Sequence, residues 1–258
     1  MEEVNKQIEN LELLFDLGFS DEWPSNSVRA HTFQNKKDKL LEMQGLVWVD
    51  SILNYALFYT LPYGHPTSEL WVESETDIKA AIYLVLGGYY RQAVATLRNW
   101  LELTLVGIYY NQRYQLSTSD YNLWKQGAKR SPHWPCLLED LFETEGREML
   151  VRADAEVKLR ERLDNLHKEL CAFVHLRGEE VRAWQQERDS VPRYVESAFD
   201  RWFSLAEQTS IGTSLVLIAE YPQDLRDYFQ THEQELSDLQ EYLPRDVLGT
   251  TFFQRLLD

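Results

Sequence analysis

Apolar residues recur at three- and four-residue steps along almost the whole chain. This spacing matches the period of an amphipathic helix and not the alternation of a half-buried strand. Gly and Pro, the residues that most often interrupt regular structure, are few. The pattern predicts helices over residues 4–19, 38–60, 78–86, 89–112, 119–126, 136–143, 154–176 and 192–219, with two short helices around Pro244 in the tail.

Local signals define the ends of several predicted helices. Residues 74–77, Ser-Glu-Thr-Asp, have the composition of an N-cap before residue 78. Gly87–Gly88 is expected to separate the two helices that flank it. Residues 21–27 are predicted to form a loop. A strand pair near Trp71 or over residues 211–217 is compatible with the sequence, but the fold does not need one.

No repeat, low-complexity tract or flexible linker divides the chain. We therefore expect one all-α domain over residues 1–258, an irregular bundle of about eight or more helices. Residues 88–112 should lie at its centre, because apolar side chains cover most of that helix's circumference. The acidic ends, 1–25 and 194–258, are expected to pack on the bundle as peripheral helices.

The net charge of −16 is distributed unevenly. Residues 1–25 hold seven acidic residues against one Lys, and residues 194–258 hold 12 acidic residues against four Arg, so the other 168 residues carry only −2. Phosphate contacts need Lys and Arg. The charge therefore argues against loose binding of RNA or DNA, but not against a narrow site.

The sequence predicts a cytoplasmic protein without a membrane segment. Its two cysteines, Cys136 and Cys171, do not make a disulfide framework and fit a reducing compartment. The first residues, MEEVNKQIEN, lack the pattern of a signal peptide. The sequence contains no Gly-rich phosphate loop, paired-Cys zinc pattern or Ser nucleophile elbow, which argues against ATP-driven and hydrolase-type enzymes.

The segment 159–178, LRERLDNLHKELCAFVHLRG, carries the densest group of reactive side chains. On a helical wheel its leucines fall with Phe173 and Val174 on one face, which should be buried. A stripe of five side chains follows the edge of that face at three- and four-residue steps: Arg160, Asp164, His167, Cys171 and His175.

Three chemistries are open for this stripe. Cys171 with His167 or with His175 could chelate a metal ion if another helix completed the site. Cys171 could be a nucleophile with a His base, although a cysteine among apolar residues is more often a small core residue. A His could move protons beside an Arg that holds phosphate, as metal-free RNA cleavage requires. The structural alternative is that both His are hydrogen-bonded residues at the core edge.

Arg98 and Glu102 interrupt the apolar helix 88–112 at i,i+4 spacing. Buried charges need partners. We therefore expect either an internal salt bridge that sets the helix register, or a pocket whose other wall carries His175 or His167.

A second group combines basic and aromatic residues, which is typical of nucleic-acid sites and equally of surface loops. It consists of Lys125, Lys129, Arg130 and His133 with Trp124 and Trp134.

The helix ending in ELCAFVHLRG, preceded by a helix reading GGYYRQAVATLRNWLEL, resembles the bacterial HEPN-type helical proteins, including AbiV-like abortive-infection relatives. The resemblance covers about residues 76–178. It implies a HEPN-like core over about residues 76–220 and a homodimer that binds or cleaves RNA in a toxin or phage-defence system. Such proteins carry an Arg and a His with four to six residues between them, and both Arg160 and Arg162 have this spacing to His167.

In this interpretation His175 or His167 is the acid–base group, Arg98 or Arg160 holds phosphate, and Glu102 orients the His. The activity would be that of a metal-independent endoribonuclease without a cofactor. Its partners would be RNA, a second copy of the chain, and a protein such as an antitoxin or another defence-system component. The alternative function is a non-catalytic helical interaction module with acidic partner-binding surfaces.

Overall fold

Helices account for nearly all of the residues that the structure describes, and none of those residues forms a strand, which confirms the all-α prediction. The computed structural model describes residues 24–61, 65–116, 118–143, 148–175, 193–243, 245–251 and 253–254; the predicted helix 4–19 lies outside them. None of the described helices combines the length and the apolar composition needed to cross a bilayer. In chain order they are α1 (Pro24–Asn35), α2 (Lys37–Thr60), α3 (Pro66–Leu86), α4 (Tyr90–Leu116), α5 (Thr118–Lys125), α6 (Trp134–Glu143), α7 (Glu148–Val157), α8 (Leu159–Val174), α9 (Glu196–Glu220), α10 (Pro222–Phe229), α11 (Glu233–Tyr242) and α12 (Arg245–Leu248).

Helix α4 is the centre of the bundle, as the sequence predicts. It contacts α3, α5, α6, α8 and α9. Its side chains Leu97, Trp100, Leu101 and Ile108 are fully buried. Each Å² of apolar surface removed from water stabilises the fold by about 25 cal/mol, so a helix that is apolar on most sides has to be covered on most sides.

The second central helix is α9, which packs against α2, α4, α7 and α8. Its large side chains Phe199, Trp202 and Leu205 are buried. Helix α9 belongs to the acidic segment 194–258, so this part of the segment lies in the core rather than at the periphery. The shorter helices α10 and α11 of the same segment pack on α2.

Gly87–Gly88 separates α3 from α4, as predicted. Gly88 has a φ of 82°, which a glycine adopts without strain. A Cβ at this position would lie 3.0 Å from the backbone oxygen of Arg193. The turn is therefore closely covered by the chain that leads into α9.

One predicted helix start and one predicted loop are wrong. Helix α3 begins at Pro66 and not at residue 78, because the hydroxyls of Ser74 and Thr76 donate to carbonyls of the preceding turn instead of capping a helix. Trp71 is accordingly helical. Helix α1 begins at Pro24, inside the predicted loop 21–27. Proline suits the first turn of a helix, where its missing N–H is not needed.

The predicted helix 154–176 is in fact two helices, α7 and α8, which meet at Lys158. Lys158 has a left-handed backbone with a φ of 53°. The backbone N–H of Arg160 then donates to the carboxylate of Asp154 at 2.8 Å. This bond satisfies one of the amides that the start of a helix leaves without an intrahelical acceptor.

One carboxyl group is buried where α2 meets α4. Asp50 accepts hydrogen bonds from the indole N–H of Trp100 at 3.1 Å and from the amide of Asn54 at 2.8 Å. Burial raises the pKa of Asp50 to about 7, although these two bonds act in the opposite direction. The carboxyl of Asp50 therefore changes charge near neutral pH.

We expect Asp50 to stabilise the fold most at low pH. Because its pKa is higher in the folded protein than in the unfolded chain, this contribution is complete below the ordinary value of 3.8 and is lost as the pH rises to about 7. Asp50→Asn removes the titration but keeps an oxygen that can accept from Trp100. Urea unfolding measures the free energy of unfolding of both proteins. The value for the wild type minus the value for the variant should fall as the pH rises from 3.8, by on the order of 1.4 kcal/mol per pH unit, and should level off above about pH 7. A difference independent of pH would contradict the raised pKa.

Candidate functional site

Arg98, Glu102 and His167 meet on one carboxylate oxygen between α4 and α8. Nε of Arg98 donates to Oε1 of Glu102 at 2.8 Å, and Nε2 of His167 lies 2.7 Å from the same oxygen. Arg98 and Glu102 stand one turn apart on α4, and His167 comes from the middle of α8. We call these residues the Arg98–Glu102–His167 triad.

The apolar face of α8 sets the position of His167. Leu163, Leu166 and Leu170 are buried against the core. Leu163 also packs closely on Gly212 of α9, where an added Cβ would lie 3.1 Å from the leucine side chain. His167 stands at the edge of this apolar face, so packing the leucines brings the imidazole beside α4.

The carboxylate of Glu102 is charged at neutral pH. Burial alone would raise the pKa of Glu102, but the hydrogen bonds from His167 and Arg98 hold it below its ordinary value. An ionised carboxylate can only accept hydrogen bonds. Nε2 of His167 therefore carries a proton in this contact, and in the neutral ring Nδ1 is the basic nitrogen.

The imidazole of His167 is held between two neighbours. The indole of Trp134 stacks on it with ring centroids 3.8 Å apart and planes 6° from parallel. The sulfur of Cys171 lies 3.6 Å from Nε2 and 3.8 Å from Nδ1, within hydrogen-bond range of the ring nitrogens. The indole N–H of Trp134 donates to Asp164 at 3.2 Å, which fixes the indole plane.

The triad forms one wall of a cleft of about 550 Å³. Ligand pockets in proteins have volumes of about 300–1,000 Å³. The other walls come from α4, the end of α5, the loop before α6 and the start of α6. They consist of Asn99, Leu103, Val106, Trp124, Ser131, Pro132, His133, Trp134, Pro135 and Leu137.

Trp124 is a fixed aromatic wall of this cleft. Its indole N–H donates to the hydroxyl of Ser131 at 2.9 Å. Its ring stacks on Tyr121, with centroids 6.0 Å apart and planes 21° from parallel, and also contacts Tyr110. The orientation of Trp124 therefore does not depend on a bound molecule.

The basic residues near the cleft differ in their pairing. Lys125 binds Glu69 at 2.6 Å, and Lys129 binds Asp120 at 2.7 Å. Arg130 is exposed and forms no ion pair with a residue that the structure describes. Much of the basic charge beside Trp124 is therefore already neutralised by carboxylates.

His175 and Arg160, the other two predicted site residues, lie away from the triad. His175 is exposed just after the last residue of α8, where its backbone N–H donates to the carbonyl of Cys171 at 2.9 Å. Arg160 pairs with Glu143 of α6 at 2.6 Å. Neither residue lines the cleft. The structure thus brings together Arg98, Glu102 and His167 out of the five candidates.

The metal alternative requires a group of ligands around His167 or Cys171. Within the described ranges, no group of three or more His, Cys, Asp and Glu side chains is arranged to hold a metal ion.

The sequence does not predict the contact between Trp134 and His167. It places Trp134 only in a cluster of basic and aromatic residues. Helical periodicity cannot predict its contact with His167, because it does not show that α6 and α8 lie side by side.

We expect Glu102→Gln to destabilise the protein at pH 7 by about 1–3 kcal/mol, because it removes a charged acceptor shared by two donors. The pKa of Glu102 is lowered in the folded protein, so its contribution is present above the ordinary value of 4.5 and is lost as the pH falls below it. Urea unfolding at pH 7 and at pH 3.5 measures both effects. An equal loss of stability at the two pH values would show that the charge of Glu102 is not responsible.

Comparison with known proteins finds no relative: no family model, no curated protein and no solved structure matches this chain. The resemblance to HEPN-type proteins therefore stays a prediction. The geometry of the cleft is the basis from which a function can be inferred.

Proposed function

We propose that this protein binds RNA in the cleft and cleaves it by metal-independent acid–base chemistry at His167, as a HEPN-like toxin or phage-defence protein. One observation carries the proposal. The guanidinium of Arg98 and the imidazole of His167 both contact the carboxylate of Glu102 at the wall of a cleft that is lined by aromatic side chains. RNA cleavage without a metal needs a cation for the phosphate and a group that moves protons.

Arg98 would hold the phosphate. Its Nε is bound to Glu102, and its terminal amino groups form no hydrogen bond to a described residue. Guanidinium N–H groups bind phosphate oxygens in pairs and keep their charge at any physiological pH. A positive charge at this position would stabilise the extra negative charge of the pentacoordinate phosphorus.

His167 would transfer the protons. Nδ1 of the neutral ring accepts the proton of an RNA 2′-hydroxyl while the 2′-oxygen forms a bond to the adjacent phosphorus. The bond from phosphorus to the 5′-oxygen breaks, and the proton passes to that oxygen, which leaves a 2′,3′-cyclic phosphate and a free 5′-hydroxyl. The carboxylate of Glu102 would orient the ring and stabilise the imidazolium that forms between the two proton transfers.

The tryptophans of the cleft suit unpaired bases. Stacking of a base on an aromatic side chain contributes about 1–3 kcal/mol and does not depend on sequence. Trp124 is held in place by Ser131 and Tyr121 and lines the same cleft as the triad. The net charge of −16 opposes loose RNA binding, so we expect a single-stranded segment to enter this narrow site only.

The resemblance to HEPN-type proteins supports the remaining parts of the proposal. We expect a cytoplasmic homodimer, held inactive by a protein partner such as an antitoxin.

The alternative function, a non-catalytic interaction module, is favoured by a different observation: an exposed aromatic surface of α2 beside the acidic helix α11. The two functions use separate surfaces and do not exclude each other.

The test compares matched pairs of variants within the same chain. We expect His167→Ala and Arg98→Ala to lower the rate of RNA cleavage by at least about 100-fold. The controls His175→Ala and Arg160→Ala should stay within a few-fold of wild type, because neither residue lines the cleft. Cleavage of a fluorescent single-stranded RNA in the presence of a chelator, and growth arrest on expression, measure the effect.

Thermal unfolding of each variant separates loss of activity from loss of fold. Equal cleavage by wild type and a folded His167→Ala would exclude His167 as the acid–base group. Loss of cleavage in His175→Ala alone would move the chemistry to the end of α8. RNA binding that Arg98→Ala abolishes, without cleavage by the wild type, would indicate a binding protein.

A further inference from the structure

Three turns of α2 expose large aromatic side chains to solvent. Trp48, Tyr55, Phe58 and Tyr59 have between 47% and 63% of their surface exposed. Positions 48, 55 and 59 repeat at helical spacing, so these three side chains form one row, and Phe58 lies beside it. We call these four residues the aromatic strip. Single exposed apolar residues are ordinary, whereas a contiguous group of this size is typical of an interaction site.

The two tyrosines of the aromatic strip are supported by contacts with each other and with a buried ring beneath them. The rings of Tyr55 and Tyr59 lie 4.8 Å apart, and their hydroxyls are 3.2 Å apart. Both rings contact the buried Tyr228 of α10, with centroids 6.4 and 6.2 Å away. Tyr228 in turn donates to Glu235 at 2.7 Å. Rigid tyrosines bind a partner with little loss of conformational entropy.

An acidic helix borders the aromatic strip. Helix α11 carries Glu233, Glu235, Asp238 and Glu241 and no basic residue. It packs along α2 and is tied to it at both ends. At one end, Glu235 accepts from Tyr228, whose ring contacts Tyr55 and Tyr59. At the other end, the ring of Tyr242 packs on Gly45 of α2, where an added Cβ would lie 2.6 Å from the ring. Helix α2 itself carries no Lys or Arg after Lys39.

We propose that the aromatic strip and α11 form a docking surface for a basic amphipathic helix of a partner protein. The apolar face of such a helix covers Phe58 and Trp48, while its Lys or Arg residues pair with the acids of α11 and lie over the tyrosine rings. The strip spans about 16 Å, so three turns of a partner helix cover it. A nucleic acid does not fit, because α11 would repel its phosphates.

Charge also argues against a second copy of this chain as the occupant. A two-fold interface would place the same surface of each protomer against the other. Both copies of α11 would then lie at one interface, and repulsion between their acidic residues would oppose such a pairing. Complementarity of charge therefore favours a basic partner over self-association.

The test uses a synthetic 15-residue amphipathic helix with Lys on one face and Leu on the other. We expect the double variant Tyr55→Ala, Tyr59→Ala to weaken its binding at least about tenfold, because aromatic anchors at interfaces are worth that much or more. Asp238→Asn with Glu241→Gln should weaken binding several-fold and reduce its salt dependence. Tyr89→Ala is the matched control, since Tyr89 is also exposed but lies in the turn before α4. Fluorescence anisotropy of a labelled peptide measures the affinity.

Two further peptides separate docking from general attraction to an acidic protein. A peptide with Glu in place of Lys should not bind, and one with Ser in place of Leu should bind at least about tenfold more weakly. Equal binding of the Ser peptide, or unchanged binding by the double tyrosine variant, would overturn the proposal. Sedimentation provides an independent check: a wild-type dimer that the double tyrosine variant dissociates would show that the strip is a self-association surface. None of these residues lines the cleft, so the result does not depend on RNA cleavage.

Discussion

The apolar surface of α4 has to be covered on almost every side, and this requirement arranges the other helices. Helix α3 returns along it after the Gly87–Gly88 turn, and α8 and α9 cover further sides. At about 25 cal/mol for each Å² removed from water, enclosing its buried side chains, among them Leu97, Trp100, Leu101 and Ile108, stabilises the fold. Where polar side chains of α4 face the bundle, a neighbouring helix can supply a partner, as α8 does for Glu102 and α2 does for the indole of Trp100.

Two carboxyl groups, Glu102 on α4 and Asp50 on the neighbouring α2, show how the hydrogen-bond partners of a carboxyl group affect its pKa. Asp50 meets only an indole and an amide, and burial raises its pKa to about 7. Glu102 meets a guanidinium and an imidazole, which outweigh burial and lower its pKa. Glu102 consequently keeps its charge at neutral pH and can orient both Arg98 and His167. Asp50 forms no hydrogen bond to a cationic side chain among the described residues, and its carboxyl group is held by Trp100 and Asn54 instead.

The two proposed functions divide the charge of the protein between separate surfaces. The cleft uses α4, α8 and the region from Trp124 to Leu137, and the guanidinium of Arg98 at its wall is bound through Nε to Glu102. The aromatic strip uses α2, supported by α10 and bordered by the acids of α11. The proposed RNA site would bind phosphate at Arg98, whereas the proposed docking surface would repel phosphate and attract a basic helix.

The sequence by itself determined the helical class, the central helix and the polar positions Arg98 and Glu102 on it, because helical periodicity is a local property of the chain. It left open whether His167 or His175 meets Glu102. Only the tertiary structure shows that His167 makes this contact. A new helix, α8, begins after Lys158, and the packing of its leucines places His167, in the middle of the helix, beside Glu102 of α4. The stacking of Trp134 was likewise invisible in the sequence. Periodicity records which side of a helix is apolar, but not which helix covers that side or which edge residues then come into contact.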